Sequence, residues 1–179
     1  MTGEETFHPD TRALLAYGRV LAGSGDPPPR APGQTVGADR LAERLFVFDR
    51  QGDGRLMIRT FGAELTALFG QDLRDRDFAA LWPPADRGLL SAFISAVSEA
   101  NQPGILRVRA EAAAGARLGA EILITPLRTP PLTADRYLGL FQPLGGEAFA
   151  DGVARLRLGS LHPPEARLSP APLRLVVSN

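Results

Sequence analysis

The sequence contains no cysteine and no lysine, and among its 179 residues there are only two histidines and one tryptophan. Without cysteine there is no disulfide, no thiolate nucleophile and no cysteine-ligated metal. All 20 basic residues are arginine, so the lysine of a phosphate-cradling P-loop is missing, and no G-x-G-x-x-G opens a helix. His8 and His162 stand near opposite ends of the chain, and no G-x-S-x-G or His-x-x-x-His occurs. That removes the usual nucleophilic triad and the commonest metal-binding helix. No apolar run approaches the ~18 residues that span a bilayer. Residues 1–10 have neither the basic nor the apolar region of a signal peptide. A soluble, cytoplasmic chain is therefore expected. Formal net charge is zero, with 20 acids against 20 arginines and no basic cluster along the chain. No global field would draw in nucleic acid or an anionic membrane.

Hydrophobic residues at 44% and charged residues at 22% fit one globular domain with extensions. Residues 60–97 organise it. Phe61, Leu65, Leu68 and Phe69 recur at helical spacing, and Gly70 stops that helix. After an acidic connection, Trp82-Pro83-Pro84 leads into a longer helix, with Asp86 a candidate N-cap or first-turn anion. Its face carries Leu90, Phe93, Ile94 and Val97, and it ends at residues 101–104. Before it, apolar runs flank Asp53-Gly54, the signal of a β-hairpin. Asp49, Gln51, Asp53 and Gly54 also match the start of a calcium loop, but Thr60 stands where the bidentate Glu is required.

Residues 105–111, 118–125 and 137–142 alternate as strands. In the expected register Ile105, Leu123, Leu127, Tyr137 and Phe141 face away from the helices. So apolar an outer face predicts a cover. A candidate is an N-terminal amphipathic helix, residues 10–21, with Leu14, Tyr17, Gly18 and Leu21 in a stripe. A Gly/Pro linker over residues 23–37 follows it. The tail holds two short alternating runs, residues 155–158 and 173–177, read as edge strands packing against the outside of the domain.

Phe69-Gly70 followed by Asp72-Leu73, and Pro84-Ala85-Asp86-Arg87 opening the long helix, resemble segments of the PAS family. The likeness covers residues 14–144. More narrowly, the chain resembles a bacterial stand-alone PAS-like family formerly catalogued as a domain of unknown function, with Tyr17 and Gly18 where a tryptophan is expected. The resemblance implies an α+β fold: an antiparallel sheet of about five strands, helices on one face, and the N-terminal helix ahead of it. It divides the chain into helix and linker (1–37), PAS-like domain (38–144) and a C-terminal extension (145–179) packing on the domain.

The resemblance also implies a ligand cavity lined by Phe48, Met57, Leu65, Phe69, Trp82, Phe93, Ile94 and Ile122; the same residues would equally make a filled core. Trp82 is placed to stack on a ligand. Haem would need an axial histidine near the long helix, and none lies between Asp10 and Leu161. A flavin adduct would need cysteine. No haem or flavin adduct, no metal and no catalytic residue are expected, only an unknown small apolar ligand. The acidic stretch Asp72, Asp75, Asp77 reads as a solvated connection, and Arg107 and Arg109 as cross-strand partners of Glu121. The expected function is a non-catalytic sensory or regulatory module in signal transduction, acting on a partner in trans. A homodimer is expected through Leu14, Tyr17, Leu21, Leu123, Tyr137 and Phe141. The competing reading is a small enzyme on a cone-like α+β fold using pocket Asp and Arg residues, which needs a buried carboxylate with a raised pKa.

Overall fold

The computed structural model describes residues 6–21, 40–127, 135–145 and 152–164. Its strands are β1 (Leu45–Arg50), β2 (Leu56–Phe61), β3 (Gly104–Ala112), β4 (Arg117–Leu127), β5 (Asp135–Pro143) and β6 (Val153–His162). They form one antiparallel sheet in the order β2-β1-β5-β4-β3-β6. The expectation of about five strands is one short. Residues 155–158 are the edge strand expected, but they extend the sheet instead of lying against the domain: they fall within β6, paired along β3. Leu156 is buried in the core while Arg155 and Arg157 point outward, the alternation of a half-buried strand; a register shift against β3 brings Val153 to the buried side as well. The linker (23–37) and the second run (173–177) lie outside the described residues.

Helices α2 (Ala63–Phe69) and α3 (Pro84–Ala100), with a 3₁₀ turn at Phe78–Leu81, cover the inner face of the sheet. Gly70, at φ 67°, closes α2 by donating its N–H to the Ala67 carbonyl. Pro83 stands at the N-cap of α3 with Pro84 at its first position, and Asp86 is the first-turn anion of the two roles expected for it. Asp86 also accepts the Leu158 N–H at 3.1 Å and so pins β6 to the helix. The acidic connection is likewise structural. Ile58 and the segment exchange backbone hydrogen bonds at 2.8 and 2.9 Å, from the Asp75 N–H and to the Arg76 carbonyl. Asp77 accepts from Leu56 N–H at 3.0 Å and Ala79 N–H at 2.9 Å. The segment thereby covers the β2 edge, which would otherwise be open to pairing.

Helix α1 (Pro9–Leu21) lies on the outer face. Thr11, Leu14 and Gly18 face the sheet, and Leu14 packs in a cluster with Ile105, Leu123 and Leu140. A Cβ at Gly18 would meet Thr125 Oγ1 at 3.0 Å, so the helix approaches β4 closely there. Tyr17 is 50% exposed and stands outside this stripe. The side chain of Leu21 lies outside the described residues.

The expected faces of Tyr137 and Phe141 are reversed. Both belong to the inner core, and Leu138 and Leu140 take the outer face. Both sets are apolar, so alternation alone does not choose between them; Gly139 does. It shares the inner face and gives room to Phe46, whose Cζ would lie 2.2 Å from a Cβ at Gly139.

Candidate functional site

Phe48, Leu65, Phe69, Trp82, Phe93, Ile94 and Ile122 come together in one buried cluster between sheet and helices. Met57 does not join them: it alternates outward between buried Leu56 and Ile58. Aromatic rings run through this layer. Trp82 meets Phe78 edge-on at 5.8 Å, Phe78 stacks on Phe48 at 5.6 Å, and Phe48 stacks on Tyr137 at 5.0 Å. Phe69 bridges Phe61 and Phe141, each at 5.6 Å. These are contact distances, so side chains fill the layer where the rings lie. The indole N–H of Trp82, only 1% exposed, finds no acceptor among the described residues. A buried donor left unpaired costs roughly 1–3 kcal/mol, and an acceptor brought by a ligand would recover that. Among the described residues this cluster contains no carboxylate.

A second constellation joins the two helical layers. Arg44, whose side chain is 11% exposed, donates to Asp10 Oδ2 in the first turn of α1 at 2.9 Å. Its Nε lies 3.5 Å from Glu64 Oε2 in the first turn of α2, and Nη1 donates to Gln142 Oε1 on β5. A polar cleft of about 400 Å³ surrounds it, lined also by His8 and Arg40. Ahead of α1, the His8 N–H donates to Glu121 at 3.0 Å and Arg107 donates to the Thr6 carbonyl at 3.2 Å. Phe7 lies under the Arg107 guanidinium and edge-on to His162.

The sequence profile of the PAS domain matches residues 6–142. The chain is a PAS domain. Several solved structures are similar in fold. The light state of the blue-light photoreceptor Aureochrome1 LOV is 12% identical; 64% of this chain and 90% of that one align, with a TM-score of 0.47. The LOV domain of a blue-light activated histidine kinase from Erythrobacter litoralis is 16% identical, covering 57% and 95%, with a TM-score of 0.45. The PAS domain of an HTR-like protein from Haloarcula marismortui is 14% identical, covering 62% and 92%, with a TM-score of 0.43. No curated protein matches the sequence.

The match to the PAS family takes in α1 and stops before β6. Among the described residues, this PAS domain keeps its buried charges, Asp49 and Glu121, out of the inner cluster. Asp49 lies on the outer side of β1, bound by Arg136 at 2.7 and 3.2 Å and by Arg59 at 3.0 Å. Arg59 is the residue the β1–β2 register skips, so a bulge aims it across at Asp49. The Arg136 hydrogen bond, helped by that of Arg59, holds the Asp49 carboxyl below the usual carboxylate range. A general acid needs the opposite shift. Sequence reasoning missed Arg44, Asp10, Glu64, Asp49 and Arg136 as partners, because each pair is made across elements distant in the chain. The sole local signal was an arginine at the start of an apolar strand.

Proposed function

We propose that this PAS domain is a non-catalytic sensory or regulatory module of signal transduction, with α1 as the element that carries its state to a partner in trans. The observation that carries the reading is the Arg44 junction. It fastens α1, on the outer face, to α2, whose Leu65 and Phe69 belong to the inner core. A change in the inner layer that moves α2 is therefore felt at Asp10, and the coupling is reciprocal. Phe48, Leu65, Phe69, Trp82, Phe93, Ile94 and Ile122 are the residues that would meet a small, largely apolar ligand with an acceptor for the Trp82 N–H. No cysteine is present to form a flavin adduct. Undocking α1 would bare Ile105, Leu123 and Leu140, a patch suited to a second copy of the chain, so a C₂ homodimer is part of the proposal. No helix among the described residues is long and apolar enough to cross a membrane, in keeping with a cytoplasmic role.

Hydrogen exchange on four proteins tests the coupling: wild type, Leu65→Ala, Arg44→Ala and the double variant. Leu65→Ala should raise exchange in α1 of the otherwise wild-type protein and have little effect there once Arg44 is gone. If α1 exchange ignores Leu65→Ala in both backgrounds, the inner layer does not speak to α1 and the reading fails.

A further inference from the structure

The outer face beyond α1 is built differently. Pairing of β4, β3 and β6 places Arg117, Glu111 and Arg155 in one cross-strand row, and Gly119, Arg109 and Arg157 in the next. Four arginines that are scattered along the sequence thus share one surface with a single carboxylate between them. The basic cluster absent from the linear sequence is created by the fold.

Glu111 does not satisfy them. Its oxygens lie 3.7 Å from Arg117, 4.0 Å from Arg155 and 3.9 Å from Arg157, all beyond hydrogen-bond length. Arg109 has no ion-pair partner among the described residues, although its direct neighbour across β3–β6 is Arg157. Like charges directly opposite one another on a sheet are destabilising. Beside them is an apolar foothold. Leu144 is 41% exposed, and its Cβ is the one atom within 4 Å of where a side chain on Gly119 would begin. Gly119 thereby leaves a shallow hollow flanked by Leu144, Arg109 and Arg117.

We propose that this face docks an acidic protein segment: carboxylates on the four arginines, and one apolar side chain in the Gly119 hollow against Leu144. Alternate residues along a strand, and i,i+4 neighbours on a helix, both stand ~6–7 Å apart, so either form of segment can present carboxylates to successive rows. Charge complementarity selects the acid, and the exposed leucine selects a protein segment over a plain polyanion. A single-stranded nucleic acid would want aromatic rings on which to stack its bases, and the two rows contain none. The inference does not depend on α1 acting as an output.

The test uses the full chain and a fluorescein-labelled peptide of repeated Glu-Leu-Glu units, followed by anisotropy. Binding should weaken as salt rises. Arg109→Glu with Arg157→Glu should weaken it at least ~10-fold, about 1.4 kcal/mol; Leu144→Ser should weaken it less. Arg74→Glu, a charge reversal on the far edge of the sheet, should leave it unchanged. Melting curves will show that the exposed substitutions leave the fold intact. Equal binding by wild type and the double variant, no binding at all, or tighter binding of a charge-matched single-stranded RNA or of phosphatidylserine vesicles overturns the proposal.

Discussion

The two faces of the sheet obey different rules. On the inner face, rows of apolar side chains from all six strands interlock with α2, the 3₁₀ turn and α3, and even the glycines are filled: Phe46 takes the space at Gly139 and Phe93 that at Gly104. The outer face is divided into three tracts. Asp49 with Arg59 and Arg136 occupies the β1–β2 end, α1 covers an aliphatic strip in the middle, and an arginine field lies over β3 and β6. The inner side is a single packing problem with one solution. The outer side is a set of separable contacts, each able to break without the others, which is what reversible signalling needs.

Substitutions should expose that contrast. Phe93→Ala removes a ring locked against Gly104 and should cost ~3–5 kcal/mol, read from urea melts. Against ~5–15 kcal/mol for a typical domain, that lowers the melting point sharply. A loss under ~1 kcal/mol would mean the inner face tolerates holes and the contrast is false. Leu14→Glu on the outer face should cost less, ~1.5–3 kcal/mol, because α1 can detach while the core stays folded. Its distinguishing sign is a larger mass by light scattering as the bared strip associates. If Leu14→Glu instead melts as one unit with the core and stays at the wild-type mass, α1 is an integral layer.

A pair of strand glycines sharpens the comparison further. Gly139→Ala drives a methyl into Phe46 and should destabilise by ~1–3 kcal/mol. Gly119→Ala meets nothing closer than 4.0 Å and should be neutral or gain a few tenths from the stiffer backbone. Equal effects at both sites would reverse the facing of β5.

That facing marks the limit of what periodicity reveals. The hairpin, both inner helices and the order of elements were legible because their apolar residues repeat at 3.6 or 2 with clear stops at Gly70 and Asn101. The apolar cluster was legible except at Met57, which sits one residue out of phase with Leu56 and Ile58. β5 was not, because Tyr137 and Phe141 compete with Leu138 and Leu140 for the same role, and a glycine decides by what its neighbour strand needs. The Arg44 junction and the arginine field were invisible for another reason. The junction's members meet only when both helices have packed on the sheet, and those of the field only through strand order; the edge strand expected at residues 155–158 carries no sign that β3 is its partner.

The smallest predicted effect probes the charged end of the outer face. Asp49 binds Arg136 and Arg59, which holds its carboxyl below the ordinary range. A carboxyl that ionises more readily folded than unfolded stabilises the protein above its unfolded pKa, ~3.9, where both states are ionised. The contribution shrinks as pH falls through the lower, folded value and vanishes once both states are protonated. Both arginines are about two-fifths exposed, so solvent screens the pair and the whole contribution is under about 1 kcal/mol. Asp49→Asn keeps the shape and removes the charge. Urea melts of the two proteins should differ at pH 7 and converge in acid, below the ordinary carboxylate range, with the pH 7 gap narrowing in 1 M salt. A gap that is unchanged at low pH would show that Asp49 acts through shape and hydrogen bonding instead of charge. The outer face would then hold together at this end by the same packing logic as the inner one.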